Sequence, residues 1–174
     1  MSELEKYIRE IPDFPKEGII FRDIMPLFGN AEGLKLAIDS VKKKLEGLDF
    51  DLIAGSEARG FLVGAPVAYA MGKGFVAVRK KGKLPFETIS EEYDLEYGTA
   101  TVEIQKDAIK PGQKVVLVDD LLATGGTLKA MSKLVEKLDG EIVKIICLIE
   151  LCGLKGREHF KDYEVECLLQ YPDA

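Results

Sequence analysis

Hydrophobic positions in this chain alternate between helical and strand spacing. Leu34, Ala37, Ile38, Val41 and Leu45 recur every third or fourth residue, which places them on one helical face. Asn30 is the candidate N-cap of this helix, and Lys42, Lys43 and Lys44 gather in its last turn, where the dipole favours cations. At the start, Ser2 and Glu5 form a capping-box pattern while Leu4, Tyr7, Ile8 and Ile11 share a face, so a short amphipathic helix is predicted to open the chain. Pro12, Pro15 and Pro26 make residues 13–29 an irregular stretch that cannot be one continuous helix.

Strand signals then take over. A short strand is predicted at residues 51–54, a small-residue helix at 60–71 and a second strand at 75–79. Residues 114–119 read KVVLVD, an unbroken apolar run suited to a strand buried on both faces of a parallel sheet. Leu128, Met131, Leu134, Val135 and Leu138 follow at helical spacing, and residues 143–149 repeat the strand pattern. Two βαβ units imply an α/β fold with a central, mainly parallel sheet flanked by helices, in one domain spanning residues 1–174, with ligands beyond the carboxyl ends of the strands. Between the units, residues 80–105 are polar and turn-rich, with a candidate antiparallel pair at 93–97 and 100–104, and read either as a functional lid or as a surface loop.

Composition narrows the function class. A length of 174 residues with 47% hydrophobic content supports a well-buried core. The net charge of −6 repels polyanions as a whole, so no nucleic-acid partner is expected. No apolar run reaches the ~20 residues of a membrane span, and the opening MSELEKYIRE lacks the pattern of a secretory or transit peptide. Cys147, Cys152 and Cys167 are odd in number and lack metal-site spacing, which suits reduced thiols and a cytoplasmic location. His159, the single histidine, has no nucleophile or metal ligand to pair with and is expected on the surface.

The most informative segment is VVLVDDLLATGGT at residues 115–127, an apolar strand that ends in two acids, a small-residue turn and a helix. Ala123, Thr124, Gly125, Gly126 and Thr127 suit a phosphate: glycines permit close backbone approach, hydroxyls donate, and the following helix offers free N–H groups. Asp119 and Asp120 would repel that phosphate but are good acceptors for vicinal ribose hydroxyls and can help to position a divalent cation, a role outside the core. The alternative is a Gly-rich turn with solvated acids. Neither a P-loop nor a dinucleotide-binding glycine pattern is present.

The segment resembles the phosphoribosylpyrophosphate loop of type I phosphoribosyltransferases. The likeness covers almost the whole chain and narrows to adenine phosphoribosyltransferases through FPKEGIIFRDI (14–24), EARGF (57–61), VRKKGKLP (78–85), LEYGT (95–99) and ELCGLKGRE (150–158). It implies the type I phosphoribosyltransferase fold with a hood and a flexible lid loop, and transfer of a phosphoribosyl group from 5-phosphoribosyl-1-pyrophosphate to adenine, giving AMP and pyrophosphate. Mg²⁺ would be held mainly by substrate, aided by Asp119 and Asp120.

By the same resemblance, the loop at residues 56–60 with Arg59 receives the pyrophosphate, and a non-proline cis bond is expected at Glu57–Ala58. Arginine's planar fork fits phosphate oxygens. Arg79, Lys80 and Lys83 would neutralise pyrophosphate and reach a neighbouring subunit's site, which implies a homodimer; a solvated basic turn would look similar. Ile20, Phe21, Arg22 and Leu154 are the implied adenine contacts, with Phe21 and Leu154 on opposite faces of the ring, although Phe21 taken alone reads as a core aromatic. Glu96, followed by Tyr97 in the lid, is implied to lie near the reacting purine as proton acceptor or electrostatic stabiliser.

Overall fold

The computed structural model describes residues 2–94 and 98–172. The capping box at Ser2 and Glu5 is present, but it opens a single 3-10 turn, Glu3–Tyr7. Ile11 lies instead in a strand, β1 (Arg9–Pro12), paired antiparallel with β2 (Ile20–Asp23). The stretch expected to be irregular therefore contains β2 and a short helix, α1 (Met25–Gly29), with Pro26 in its first turn, where a missing N–H costs nothing. Local spacing could not reveal the hairpin, because β1 and β2 gain their hydrogen bonds only from each other.

Helix α2 (Ala31–Leu45) begins at Asn30, whose side chain accepts from the amides of Glu32 and Gly33, and it buries Ala37, Ile38, Val41 and Leu45. It is followed by β3 (Leu52–Ser56), α3 (Arg59–Met71) and β4 (Gly74–Lys80), then by β5 (Thr88–Asp94) and β6 (Thr99–Gln105). The second unit comprises β7 (Lys114–Leu122), α4 (Gly126–Lys137) and β8 (Glu141–Leu151), and the chain closes with β9 (Val165–Tyr171). Seven strands form one sheet in the order β5-β6-β4-β3-β7-β8-β9. The run from β4 to β9 is parallel, while β5 and β6 add antiparallel at the edge.

The period of two along β7 divides the core. Val116 and Val118 pack with α2 and α3 on one face; Val115 and Leu117 pack with Leu128, Met131, Leu134 and Val135 of α4 on the other. Most of the described residues between 80 and 105 are thus sheet. The first strand of the excursion starts earlier than residues 93–97 suggested, because Ile89, Glu91 and Tyr93 form its inward face toward α4: the two apolar side chains join the α4 core, and Glu91 meets Lys133 and Lys137. A charged residue on the inward face hides the alternation from a sequence reading. No helix among the described residues is long and apolar enough to cross a membrane.

Candidate active site

Parallel strands β3 and β7 are neighbours, yet the chain leaves β3 through α3 toward β4 and leaves β7 through α4 toward β8, on the opposite side. Such a reversal opens a crevice at the carboxyl ends of the two strands. A cavity of about 280 Å³ lies there, lined among others by Ser56, Arg59, Lys80, Asp119, Asp120 and Thr127. The segments that join the strands to α3 and α4 thus supply its polar groups.

Asp119 is buried at the end of β7. Its Oδ1 accepts from Ser56 Oγ at 2.8 Å and from the Asp120 amide at 3.0 Å. Burial, and then the Asp120 charge, push its carboxyl well above the ordinary carboxylate range, while the Ser56 hydroxyl works against the shift. Burial also raises Asp120, opposed by the Arg59 guanidinium, whose Nε stands 3.1 Å from Asp120 Oδ2. Arg59 remains 40% exposed and therefore accessible to a ligand. The expectation that both acids stand apart from the core needs amending, since Asp119 also ties β7 to Ser56. A side-chain hydrogen bond contributes about 0.5–1.5 kcal/mol, enough to make that tie part of the fold.

Residues 123–127 enclose a smaller cavity of about 70 Å³ between β7 and α4. Gly125 turns the chain with φ 84°, a left-handed conformation that favours glycine, and caps α4. No side chain caps the start of α4, the arrangement that suits an anion. The loop after β3 contains a cis peptide between Glu57 and Ala58, as expected.

The basic group divides. Lys80 lines the larger cavity. Arg79 instead donates to Glu57 Oε2, at 3.0 Å from Nη2, and to the Lys83 carbonyl, at 3.2 Å from Nη1. Burial opposes ionisation of Glu57, but the Lys80 amide and Arg79 outweigh it and hold the carboxyl below its ordinary value. Neither Arg79 nor Lys83 lines the cavity beside the acids.

The implied base contacts stand elsewhere. Ile20 is 47% exposed on β2, and Phe21 beside it meets the Phe14 ring edge-on at 5.2 Å between centroids. Arg22 is turned inward, paired with Glu10 and stacked 4.3 Å above the Tyr171 ring, so a part in base recognition would fall to its main chain. Leu154 is 44% exposed in a 3-10 turn, Cys152–Leu154. None of these four lines the acid cavity. Glu96 and Tyr97 lie outside the described residues. His159 is exposed, as expected.

Three features escaped the sequence reading. The Ser56 hydroxyl contact to Asp119 and the role of Glu57 in joining two loops depend on strand neighbours, and Gly156 packs so closely that a Cβ there would overlap the Ala123 carbonyl. For Gly156 the only available signal was the glycine itself, between Lys155 and Arg157. Among the described residues, no three His, Cys, Asp or Glu side chains converge to hold a metal.

The phosphoribosyl transferase domain family matches residues 31–172. An adenine phosphoribosyltransferase of Agathobacter rectalis is 60% identical over 171 residues, covering 98% of each chain. Among solved structures, that of an adenine phosphoribosyltransferase from Thermoanaerobacter pseudethanolicus is 56% identical with a TM-score of 0.94, covering 97% of this chain and 98% of its own. The Saccharomyces cerevisiae enzyme, solved with an imino-altritol bisphosphate and adenine, is 43% identical with a TM-score of 0.92, covering 96% of this chain and 97% of its own. A crevice at the sheet's reversal point, an acid pair and an anion-ready glycine loop agree with that kinship: the chain belongs to the type I phosphoribosyltransferase family and, within it, to the adenine phosphoribosyltransferases.

Proposed function

We propose that this chain transfers the 5-phosphoribosyl group from 5-phosphoribosyl-1-pyrophosphate to adenine, releasing AMP and pyrophosphate. The observation that carries this reading is the position of Asp119 and Asp120 between Ser56 and Arg59 on one side and the loop Ala123 to Thr127 on the other. A sugar phosphate needs that sequence of groups: an anion cradle, acceptors for ribose hydroxyls, then a cationic end for the leaving group. The yeast relative bound to adenine and a bisphosphate supports the same assignment of ligands.

Purine N9 displaces pyrophosphate at ribose C1, and no covalent enzyme nucleophile is needed. Positioning and electrostatics carry the reaction. The 5′-phosphate sits on residues 123–127, the two acids accept from the ribose hydroxyls, and Arg59 with Lys80 faces the pyrophosphate. Arg79 and Lys83 support that end through Glu57 and extend toward a second subunit of a homodimer. The base lies between Phe21 and Leu154, with the main chain of Ile20 and Arg22 reading its edge. Glu96 acts near the purine, where its charge stabilises the transition state or takes the proton.

Among the described residues no third ligand converges on the two carboxylates to make a protein cage, but the pair suits a Mg²⁺ that keeps substrate oxygens as its principal ligands. Bound there, Mg²⁺ would neutralise charge on the leaving group. One phosphoribosyltransferase domain accounts for residues 1–174. The free cysteines fit a cytoplasmic location.

The test is to incubate the protein with Mg²⁺, 5-phosphoribosyl-1-pyrophosphate and each nucleobase in turn, and to identify the nucleotide formed. AMP is expected, with other purines disfavoured by a factor on the order of 10⁴ if backbone groups read the amine and ring nitrogen. Use of hypoxanthine or guanine within roughly tenfold of adenine would replace this reading with a 6-oxopurine enzyme of the same fold.

A further inference from the structure

We propose that Tyr93 is a positioning residue of the phosphate loop, whose phenol aims the Thr127 hydroxyl at a bound 5′-phosphate. The inference rests on the assignment of residues 123–127 as the phosphate cradle. Thr127 Oγ1 donates to Tyr93 Oη at 3.3 Å, across 34 positions of sequence. Thr127 lines both the small cavity of the loop and the larger one beside the acids, while Tyr93 lines the larger.

The ring and the strand that carries it are held against α4. A Cβ built on Gly126 would lie 3.0 Å from Tyr93 Cδ2, so the ring rests on the first residue of α4. Ile89 and Tyr93 pack into the α4 core. Two residues before Tyr93, Glu91 pairs with Lys133 at 2.7 Å and Lys137 at 2.6 Å, fixing β5 along the same helix. The phenol oxygen therefore has a defined position relative to the loop.

A threonine hydroxyl has one proton and two lone pairs, so it can donate to one partner while accepting from another. In this structure that proton goes to the Tyr93 phenol oxygen. An anionic phosphate oxygen is the stronger acceptor. When phosphate binds, the Thr127 proton turns to it and the Tyr93 O–H becomes the donor to Thr127 Oγ1. No bond is made or broken; two hydroxyl rotations exchange partners. The ring also joins the β5–β6 hairpin to the loop, so the edge of the sheet and the phosphate site share one contact.

Tyr93→Phe keeps the ring and removes only the hydroxyl. Calorimetric binding of ribose 5-phosphate to the wild type, Tyr93→Phe, Thr127→Val and the double variant separates the possibilities. Tyr93→Phe should weaken binding about threefold to tenfold, as loss of one neutral hydrogen bond would. In the Thr127→Val background it should have no further effect, because it acts through that hydroxyl. Tyr93→Phe binding like the wild type while Thr127→Val is weakened would overturn the role of Tyr93 and leave the cradle intact. An equal loss from Tyr93→Phe in both backgrounds would also overturn it, since the phenol would then act independently of Thr127. Wild-type affinity in Thr127→Val would reject the cradle assignment and the inference together.

Discussion

Ser56 Oγ donates to Asp119 Oδ1 at 2.8 Å, joining the carboxyl ends of two adjacent parallel strands at the point where the chain departs in opposite directions. The bond makes the crevice and one of its acids a single structural unit. Several consequences can be measured.

Asp119 and Asp120 both have raised carboxyl pKa values, through burial first. In such a site the folded form stays protonated where the unfolded chain ionises, so unfolding free energy falls as pH rises through that window. Below the ordinary carboxylate range both forms are protonated and the effect vanishes. Without ligand or Mg²⁺, the protein should therefore lose stability as pH rises above about 4. Asp119→Asn should flatten this slope and raise the neutral-pH melting temperature, while lowering kcat/KM for 5-phosphoribosyl-1-pyrophosphate about tenfold to hundredfold. Thermal melts over a pH series, set beside initial rates, check both halves.

Gly60 approaches the same pair. A Cβ there would lie 2.9 Å from Asp119 Oδ1, 3.2 Å from Ser56 Oγ and 3.3 Å from the Val118 carbonyl. Gly60→Ala should cost roughly 1–3 kcal/mol by overpacking and lower turnover as well. Denaturant midpoints unchanged from the wild type would show that the strand ends yield freely.

Gly156→Ala should act on the phosphate loop from behind. The added methyl would overlap the Ala123 carbonyl and stand 2.9 Å from the Gly125 amide, both on the loop's own backbone. The expected outcome is a higher KM for 5-phosphoribosyl-1-pyrophosphate together with reduced stability. Steady-state kinetics and a melting curve distinguish this from a local effect at residue 156.

Glu91 is held below its ordinary pKa by hydrogen bonds from Lys133 and Lys137. A depressed carboxyl stabilises the fold above its unfolded pKa and loses that contribution as pH falls through the lower folded value. The lysines are about half exposed, so screening keeps the contribution small, roughly 0.5–1 kcal/mol. Glu91→Gln should speed hydrogen exchange in β5 at neutral pH, with the difference from wild type disappearing in acid.

Phe21→Ala should weaken adenine binding and spare 5-phosphoribosyl-1-pyrophosphate, because a stacking face touches only the base. Equal weakening of both ligands, measured by separate titrations, would assign Phe21 to packing with Phe14 rather than to the base site.

Local spacing was enough to place α2, β7 and the chemistry of the phosphate loop. The period of α2 and the unbroken run of β7 were legible because burial on one face or two imposes them directly. The residues that suit a phosphate are consecutive in the chain, so Ala123 to Thr127 could be recognised without tertiary information. The base contacts, the lid glutamate and the expected cis bond came from resemblance rather than spacing. Tertiary structure decided what required a distant partner. Ile11 became strand because β2 lies beside it, and β5 began early because Lys133 and Lys137 neutralise an inward Glu91. Asp119 acquired its partner 63 residues away in Ser56, while Arg79 turned to Glu57. Hydrogen bonds and charges are satisfied by whichever groups the fold brings near, and that neighbourhood is a property of strand order rather than of sequence adjacency.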